Sequence, residues 1–318
     1  MHTNTVLVTG CAGFIGSNFV RQFRVRYPHA RVIGIDDFST GLRADLDRSI
    51  IFYEGRVDDH KLVNAIFKRH RPQFVFHFAA LPRVAYSVEH PTETTAANVV
   101  GTVTLLEACR DYRVKRFIFS STAAVYGTPA HVPTREDDAT LPLSPYGLQK
   151  LVAESFCKHF SDLYDVDTVC LRYFNVFGPG QRGTSAYSTV VAAWLEALYF
   201  PKKKRAFLEG DGKASRDFVY VDDVVRANIL AMSAKRKLNG AIFNIGSGTK
   251  IEVRKVLKLI EKYTKRKLKL TKRPPRAGDV RQTRADISKA RRGLGFRPQT
   301  DFKTGLKQTI AWFEKRKR

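Results

Sequence analysis

The chain has 318 residues, of which 43% are hydrophobic and 11% aromatic, so it can bury a substantial core and is too apolar for an intrinsically disordered protein. Its formal net charge is +25, and much of the excess lies late, in segments 202–205, 235–237, 250–272 and 315–318. Four cysteines without metal-ligand spacing, and apolar runs no longer than a strand, argue against a metal site, a disulfide framework and a membrane-spanning helix.

The basic residues predict a charged surface rather than a nucleic-acid site. They are spread over predicted helices and loops, including 250–272, which we expect to be helix-like, and no nucleic-acid motif accompanies them. We interpret the charge as a solvated surface that also attracts anionic substrates, and we expect no nucleic-acid or membrane partner. Residues 1–5 lack the features of a signal peptide, and the cysteines are expected as buried thiols, so we expect a cytoplasmic protein.

A strand, a glycine turn and a helix open the chain. Residues 5–9 form a short β-branched run, typical of a buried strand, and residues 17–23 have the pattern of a helix. Gly10, Gly13 and Gly16 lie between them. Such a turn brings backbone amides and a helix N-terminus to a pyrophosphate, so it predicts a dinucleotide site.

Two acidic residues follow the second strand and predict which dinucleotide binds. The strand at 31–35 ends at Asp36 and Asp37, some twenty residues after the last glycine of the turn. A carboxylate at this position accepts hydrogen bonds from ribose hydroxyls and repels a 2′-phosphate. The pattern therefore favours NAD over NADP.

Strands and helices continue to alternate, which predicts a doubly wound parallel α/β sheet. The small residues Ala79 and Ala80, at the end of one strand, would let a flat ligand lie against the backbone, whereas His77 before them is expected in the core. Asn98 is expected to form hydrogen bonds inward from its helix. The further strands are predicted at 50–53, 73–78 and 116–119, and the further helices at 59–70 and 91–111.

Tyr146 and Lys150 form the candidate acid–base pair. They are four residues apart at the start of a predicted helix, so the phenol and the ammonium lie on one face, one turn apart. A free phenol has a pKa of about 10, and a neighbouring cation lowers it towards a useful value. The same spacing is also common on ordinary surface helices, so its meaning depends on the rest of the chain.

Several motifs in order resemble one family. The glycine turn, Ser120-Ser-Thr-Ala-Ala-Val-Tyr-Gly127, the Tyr146–Lys150 pair and Arg172-Tyr-Phe-Asn-Val-Phe-Gly-Pro179 are similar to those of extended short-chain dehydrogenase/reductases, in the NAD-dependent epimerase/dehydratase family. More narrowly, they resemble UDP-glucose and UDP-N-acetylglucosamine 4-epimerases. The resemblance resumes at 215–223, 243–248 and 276–290, so it covers nearly the whole chain.

The resemblance implies a doubly wound parallel Rossmann sheet with a smaller C-terminal α/β domain. The NAD-binding domain would comprise residues 1–175 and 213–245, and the nucleotide-sugar-binding domain residues 176–212 and 246–318. In similar enzymes the helices equivalent to 91–111 and 146–163 form a four-helix interface, so a homodimer is expected. NAD is the implied cofactor and a UDP-sugar the implied substrate, with no metal.

The resemblance also implies roles for individual residues. Thr122 would hydrogen-bond the 4-hydroxyl of the sugar, Tyr146 would remove its proton, and Lys150 would hold the nicotinamide ribose and lower the tyrosine pKa. The implied cofactor-binding residues are Gly10, Gly13, Phe14, Ile15, Gly16, Asp36, Asp37, Ser39, Phe78, Ala79, Ala80, Asn98, Ser120, Tyr146, Lys150 and Tyr173. The implied substrate-binding residues are Thr122, Asn175, Arg216, Arg276, Asp279 and Thr283, with Asn175 and the arginines on the diphosphate and Asp279 on the nucleotide ribose.

Two positions depart from the family pattern. The family usually has Gly-Asp after the third strand, where the Asp contacts adenine, but this chain has Gly55-Arg56, so the contact is lost or replaced by stacking of the guanidinium. Cys11 occupies a position of the glycine turn where the family commonly has Gly. A thiol beside a cofactor is expected to be oxidisable.

The two residues after Thr122 favour one reaction type, epimerisation, over dehydration. Tyr146 can take the C4 hydroxyl proton while NAD+ takes the hydride, and return of the hydride to the other face of the 4-keto sugar inverts C4. Dehydratases of this family carry an Asp-Glu pair after the Thr, whereas this chain has Ala123 and Ala124, so epimerisation is preferred. The alternatives are an epimerase specific for UDP-glucose or for UDP-uronates, a nucleotide-sugar ketoreductase and a silent, basic NAD-binding module.

Thr283 predicts the sugar. Thr283 is the fourth residue after Asp279. In similar epimerases this position lies beside the C2 substituent of the sugar, and a Tyr there restricts the enzyme to plain hexoses. Thr283 is smaller and leaves space for an N-acetyl group, which its hydroxyl can hydrogen-bond. We therefore expect interconversion of UDP-GlcNAc and UDP-GalNAc, and also of UDP-glucose and UDP-galactose; the run at 185–194 likewise resembles epimerases that act on N-acetylhexosamines. The alternative is that Thr283 only fills a loop.

Overall fold

Alternating strands and helices form the framework of the computed structural model, which describes residues 5–183, 189–202, 205–274 and 280–317. The strands are β1 (Thr5–Thr9), β2 (Arg31–Asp36), β3 (Ile51–Glu54), β4 (Phe74–His77), β5 (Arg116–Thr122), β6 (Thr168–Tyr173), β7 (Asn175–Phe177), β8 (Ala206–Glu209), β9 (Ser215–Arg216), β10 (Phe218–Tyr220), β11 (Ala241–Ile245), β12 (Ile251–Glu252) and β13 (Leu270–Arg273). The α-helices are α1 (Phe14–Arg26), α2 (His60–His70), α3 (Val84–Glu89), α4 (Pro91–Thr95), α5 (Gly101–Asp111), α6 (Pro145–Tyr164), α7 (Val190–Tyr199), α8 (Val221–Ser233), α9 (Val253–Thr264), α10 (Ser288–Leu294) and α11 (Phe302–Lys317).

Among the described residues, seven strands form one parallel sheet in the order β11-β6-β5-β4-β1-β2-β3. The chain proceeds outward from β1 to β3 on one side, and from β4 to β11 on the other. The direction of winding therefore reverses between β1 and β4. At such a reversal the loops after the two strands separate and leave a crevice at their carboxyl ends, which is where parallel sheets bind ligands.

Helices cover both faces of this sheet. Helices α1 and α8 pack against each other on one face, and α2, α5 and α6 pack on the other. The central strands β5 and β6 are buried along almost their whole length, and apolar residues fill the middle of each, as a sheet covered on both faces requires. The predicted doubly wound α/β class is confirmed.

The remaining strands and helices lie beyond this sheet. Strand β8 pairs in parallel with β13, and β7 pairs with β10 beside the carboxyl end of β6. Helices α7, α9 and α11 pack together near the β8–β13 pair. Within the part of the chain that the structure describes, no helix is long and apolar enough to cross a membrane.

The predicted helix at 91–111 is confirmed as α4, a π-helical turn at Ala96–Val100 and α5. The expectation of a helix-like stretch over 250–272 is wrong in part, because only Val253–Thr264 is helical. Lys265 ends the helix in the left-handed region at φ 54°, and β13 follows as the partner of β8. That pairing joins residues about sixty positions apart, so helical periodicity around 250–272 could not reveal it.

Candidate active site

A cleft with about 1040 Å³ of open space lies at the carboxyl ends of the central strands. The glycine turn after β1, the acidic end of β2, the loop after β4 and the end of β5 all contribute to its walls. Every predicted cofactor-binding residue except Asn98 lines it. Those lining residues are Gly10, Gly13, Phe14, Ile15, Gly16, Asp36, Asp37, Ser39, Phe78, Ala79, Ala80, Ser120, Tyr146, Lys150 and Tyr173.

The glycine turn requires glycine for steric reasons. Gly10 adopts φ +68°, and a Cβ there would lie 2.6 Å from the Ala79 amide nitrogen. A Cβ at Gly16 would lie 2.0 Å from the Gly10 carbonyl oxygen. Gly13 precedes α1 and provides no side-chain cap, so amides of the first helical turn remain available to an anion. This cradle fits the pyrophosphate of a dinucleotide such as NAD.

Asp36 is fixed to the glycine turn. Its carboxylate accepts hydrogen bonds from the Ala12 amide at 2.9 Å and from the Phe38 amide at 2.8 Å. Burial raises the pKa of Asp36, and these amide hydrogen bonds oppose that rise. The neighbouring Asp37 accepts from the amide and the hydroxyl of Ser39 at 2.9 and 2.6 Å. Both carboxylates line the cleft, where they would face a ribose.

The unusual Arg56 also lines the cleft. Its Nε and Nη2 donate to the two carboxylate oxygens of Asp58 at 2.9 and 2.8 Å, so the planar guanidinium is held in one orientation. This ion pair lowers the pKa of Asp58. Asp58 also lines the cleft and is absent from the predicted site residues. Its position two residues after Arg56, where the chain departs from the family pattern, could have indicated it.

The expectation that Cys11 is an oxidisable thiol beside the cofactor is wrong. Cys11 is 1% exposed, and a Cβ added at Gly34 of β2 would lie 2.6 Å from its sulfur, so the side chain packs against the sheet. Burial raises the pKa of the Cys11 thiol, followed by the negative charge of Asp36. The reactive thiolate is therefore strongly disfavoured.

The catalytic candidates meet where α6 approaches the end of β5. Ser144 caps α6 by accepting a hydrogen bond from the Gly147 amide at 3.2 Å. Lys150 is 2% exposed, and its Nζ donates to the Ser120 carbonyl at 2.9 Å. The Tyr146 side chain is hydrogen-bonded to Thr122. The structure thus brings Thr122, Tyr146 and Lys150 together, and Tyr146 and Lys150 line the cleft.

Burial is the largest influence on the pKa values of both Tyr146 and Lys150. It raises the pKa of Tyr146 to about 12, although the hydrogen bond with Thr122 lowers it, and it lowers the pKa of Lys150 to about 8. The expected net lowering of the Tyr146 pKa by Lys150 is therefore not found in the protein alone. The reason is that desolvation opposes both charged forms, while the ammonium is engaged with the Ser120 carbonyl.

Asn98 and His77 lie behind the cleft. Asn98 is buried; it accepts from the Leu81 amide at 2.8 Å and donates to Gln149 on α6 at 2.8 Å, so it supports the lining residue Leu81. His77 is fully buried between Thr9 and Thr102, at 2.7 and 3.0 Å. Burial, and then the charge of Lys150, lowers the pKa of His77 well below its ordinary value. The core position predicted for His77 is confirmed.

Two predicted substrate residues meet beside β7. The Thr283 hydroxyl oxygen accepts from the Asp217 amide at 3.2 Å and from the Asn175 side-chain amide at 3.4 Å. A hydroxyl has two lone pairs and one hydrogen, so this arrangement leaves the O–H group available to another acceptor. Arg216 lies on β9, and its Nη1 donates to the Ser215 carbonyl at 3.0 Å. Arg276, Asp279 and the 185–188 part of the run at 185–194 lie outside the described residues.

Asp217 organises this region, and we did not single it out from the motif at 215–223. It is fully buried, and burial raises its pKa. Its carboxylate accepts from the Ser247 amide and hydroxyl, both at 2.7 Å, and from the Gly248 and Ala285 amides, both at 3.0 Å. Because Ala285 follows Thr283 by two residues, these bonds fix the segment that carries Thr283 against β7.

Comparison with known proteins agrees with this geometry. A model of the NAD-dependent epimerase/dehydratase family matches residues 6–246. The chain belongs to this family. This match, together with relatives and solved structures that are UDP-sugar 4-epimerases, some of them in complex with NAD, confirms the predicted fold, the NAD cofactor and the prediction of an NAD-dependent nucleotide-sugar 4-epimerase, an isomerase.

Three relatives within the family illustrate the similarity. The UDP-glucose 4-epimerase of Thermotoga maritima with UDP-glucose has a TM-score of 0.93 and 39% identity, covering 99% of this chain and 100% of that one. The UDP-N-acetylglucosamine 4-epimerase of Methanobrevibacter ruminantium in complex with UDP-N-acetylmuramic acid has a TM-score of 0.91 and 32% identity, covering 99% and 100%. UDP-glucuronate 4-epimerase 4 of Arabidopsis thaliana is 33% identical over 332 residues, 97% of this chain and 75% of the relative. The three relatives are thus named after different substrates: UDP-glucose, UDP-N-acetylglucosamine and UDP-glucuronate.

Proposed function

We propose that this protein interconverts UDP-GlcNAc and UDP-GalNAc, and also UDP-glucose and UDP-galactose, by NAD-dependent epimerisation at C4. The observation that carries the reaction type is that Tyr146 and Lys150 line the cleft and that the Tyr146 side chain is hydrogen-bonded to Thr122. The observation that carries the choice of sugar is Thr283, a small residue with a hydroxyl group able to donate.

The glycine turn, the amides at the start of α1, Asp36 and Asp37 would hold NAD, with Lys150 on its nicotinamide ribose. When bound, NAD+ supplies a positively charged nicotinamide that accepts a hydride from C4 and returns it, and its charge favours the phenolate. Thr122 orients the C4 hydroxyl through its side-chain oxygen. Tyr146 takes the hydroxyl proton and later gives it back, which is general acid–base catalysis.

The 4-keto sugar is planar at C4 and inverts only if it presents its other face before reduction. We propose that the protein anchors the nucleotide and leaves the sugar free to turn. Asn175, Arg216 and Arg276 would bind the diphosphate, and Asp279 the nucleotide ribose. Ala123 and Ala124, which follow Thr122, carry no carboxylate for the elimination of a 6-hydroxyl, so the ketone is retained for reduction.

Thr283 would lie beside the C2 substituent of the sugar. Asn175 and Asp217 hold its oxygen in place while its O–H group remains free to donate to the carbonyl of an N-acetyl group. The hydroxyl would then recognise an N-acetyl group without excluding the smaller C2 hydroxyl of a plain hexose.

We retain three coarser expectations as proposals. The division into an NAD-binding domain (1–175 and 213–245) and a nucleotide-sugar-binding domain (176–212 and 246–318) follows from the roles above. Large apolar side chains are exposed on the helical segments 91–111 and 146–163, including Val100 at 44%, Leu148 at 52% and Leu163 at 68%, which supports a homodimer through these helices. The four cysteines are all buried and free, which supports a reducing, cytoplasmic location.

The test is incubation of the purified protein with separate UDP-sugars, followed by chromatographic resolution of the products. We expect UDP-GlcNAc and UDP-GalNAc to interconvert, and UDP-glucose and UDP-galactose as well, without added cofactor if NAD is retained during purification. Conversion of UDP-glucuronate alone, or of UDP-glucose alone, would contradict the proposed choice of sugar. Oxidation of stoichiometric NADH when a UDP-4-keto sugar is supplied as the substrate, with accumulation of the corresponding alcohol, would indicate a ketoreductase. Failure to convert any of them would leave an NAD-binding module.

A further inference from the structure

A buried ionic cluster lies directly beneath the catalytic side chains and takes no part in the reaction described above. Tyr146, Lys150 and Glu154 follow one another at intervals of four on α6, so they share one helical face. Glu154 is 3% exposed and Arg172 of β6 is 2% exposed. Arg172 Nε donates to Glu154 Oε1 at 2.9 Å and Nη2 to Oε2 at 2.7 Å, so the ion pair is bidentate.

Ser121 joins the strand that carries Thr122 to this cluster. Ser121 is 3% exposed, stands opposite Arg172 in the β5–β6 register, and donates from its hydroxyl to Glu154 Oε1. Both of its neighbours on β5 contact the catalytic face of α6. The Ser120 carbonyl accepts from the catalytic ammonium, and Thr122 is hydrogen-bonded to the catalytic phenol.

We propose that Glu154, with Ser121 and Arg172, is a positioning clamp that holds the carboxyl ends of β5 and β6 against α6 in the geometry that proton transfer requires. This inference rests on the proposed function. Removing two charges from water costs free energy that an apolar pair of similar volume would avoid, so ionic pairing here favours a role in fixing geometry. A small misplacement of reacting groups is enough to slow an enzyme markedly.

The other end of the same two strands provides a matched control. Arg116 begins β5 and Asp167 immediately precedes β6; they are 5% and 4% exposed, with Arg116 Nε 2.7 Å from Asp167 Oδ2. This pair is nearly as buried as the clamp, and both oxygens of Asp167 accept hydrogen bonds, Oδ2 from Arg116 and Oδ1 from the Leu238 and Asn239 amides. It lies six residues from Thr122, about 20 Å along an extended strand. A purely structural ion pair and a positioning pair can therefore be compared within one pair of strands.

Charge is the second way in which Glu154 acts on the site. Burial lowers the pKa of Lys150, and the neighbouring Cys157 and Glu154 oppose that effect by favouring the ammonium form. Loss of the Glu154 charge should let Lys150 deprotonate at lower pH. Among the described residues, the other titratable groups that act on Lys150 or share its helical face are Tyr146 and Cys157 on α6, His77 on β4 and Cys170 on β6. The charge of Arg172 on β6 is paired with Glu154.

The experiment compares Glu154→Gln and Ser121→Ala with the control Asp167→Asn, using the full-length protein and UDP-sugar interconversion. We expect both clamp variants to lower kcat by about 10-fold or more while KM for the UDP-sugar changes less than about 3-fold. We expect Glu154→Gln alone to shift the alkaline limb of the kcat profile to lower pH by about half a unit or more. Asp167→Asn should lose thermal stability to a similar extent and keep both kcat and the pH profile.

Equal losses of kcat in Glu154→Gln and Asp167→Asn would overturn the clamp, because both would then act through general stability. If Glu154→Gln fails to fold, Ser121→Ala decides, since it leaves no buried charge unpaired; wild-type kcat in that variant rejects the clamp. A wild-type protein that converts none of the UDP-sugars rejects the proposed function, and with it the clamp that serves it. If the wild-type protein is active and both clamp variants keep the wild-type kcat, the clamp is rejected and the proposed function stands.

Discussion

The cofactor side and the sugar side of this protein are built differently. On the cofactor side, the glycine turn, Asp36 and the base of α6 each lie at the end of a central strand or the start of the helix after it. On the sugar side, Asn175 and Thr283 meet only because Asp217 joins segments far apart in the chain. The proposed chemistry thus depends on local motifs, whereas the proposed choice of sugar depends on long-range contacts. A change on the first side should affect every substrate equally, and a change on the second should separate them.

The largest effect is expected for Tyr146→Phe. Removal of a positioned acid–base group should lower kcat by roughly 10²–10⁴-fold. Because the phenol is proposed to act at C4, which all these sugars share, the N-acetylated and plain sugar pairs should lose activity in the same proportion. Product chromatography measures the rates, and NAD retention with circular dichroism controls for folding. Near wild-type turnover would remove Tyr146 from the mechanism.

The preference for NAD over NADP is the next expected effect. Asp36 and Asp37 are held at the cleft by backbone hydrogen bonds, so a 2′-phosphate would meet fixed negative charge. Like charges in contact cost several kcal/mol, so we expect NAD to bind about 100-fold more tightly or better. Calorimetric titration of the cofactor-free protein with both dinucleotides measures the ratio. Equal affinities would mean that another basic residue, such as Arg56, compensates.

Thr283→Tyr should reduce activity on the N-acetylated sugars more than activity on the plain hexoses. A phenol ring at this position should clash with an N-acetyl group and tolerate a hydroxyl, so activity on UDP-GlcNAc should fall by about 10–100-fold relative to UDP-glucose. The ratio of kcat/KM for the two sugars is the measurement. Thr283→Ser, which keeps the hydroxyl, is the matched control. A parallel loss on both sugars would place Thr283 outside the sugar pocket.

The smallest effect is a pH dependence that all sugars should share. Burial lowers the pKa of Lys150 to about 8, so its ammonium is the dominant form below that pH and is lost as the pH rises through it. If the charged form supports Tyr146, kcat should decline by up to about tenfold for each pH unit above 8. Profiles for UDP-GlcNAc and UDP-glucose should coincide. Alkaline limbs that differ between the sugars would indicate a titrating group on the sugar side.

Much of the proposed catalytic arrangement could be predicted because its residues belong to short motifs that follow one another in a fixed order along the chain. The spacing of Tyr146 and Lys150 fixed their shared helical face, and the strand–turn–helix pattern located Gly10 at the strand end. The pKa values could not be predicted in the same way. The expected effect of Lys150 on Tyr146 was a pairwise argument, whereas burial of both side chains depends on everything packed around them.

The sequence alone determined the family, the alternating framework and the residues at the strand ends, because helical and strand periodicity and glycine sterics act over a few neighbouring residues. Only the tertiary structure decided that Cys11 faces the sheet, that Lys265 ends α9 before a strand that pairs with β8, and that Glu154 reaches Arg172 and Ser121. These contacts join residues that are distant in the chain or on different elements. Burial and strand pairing select them, and neither property is encoded in local spacing.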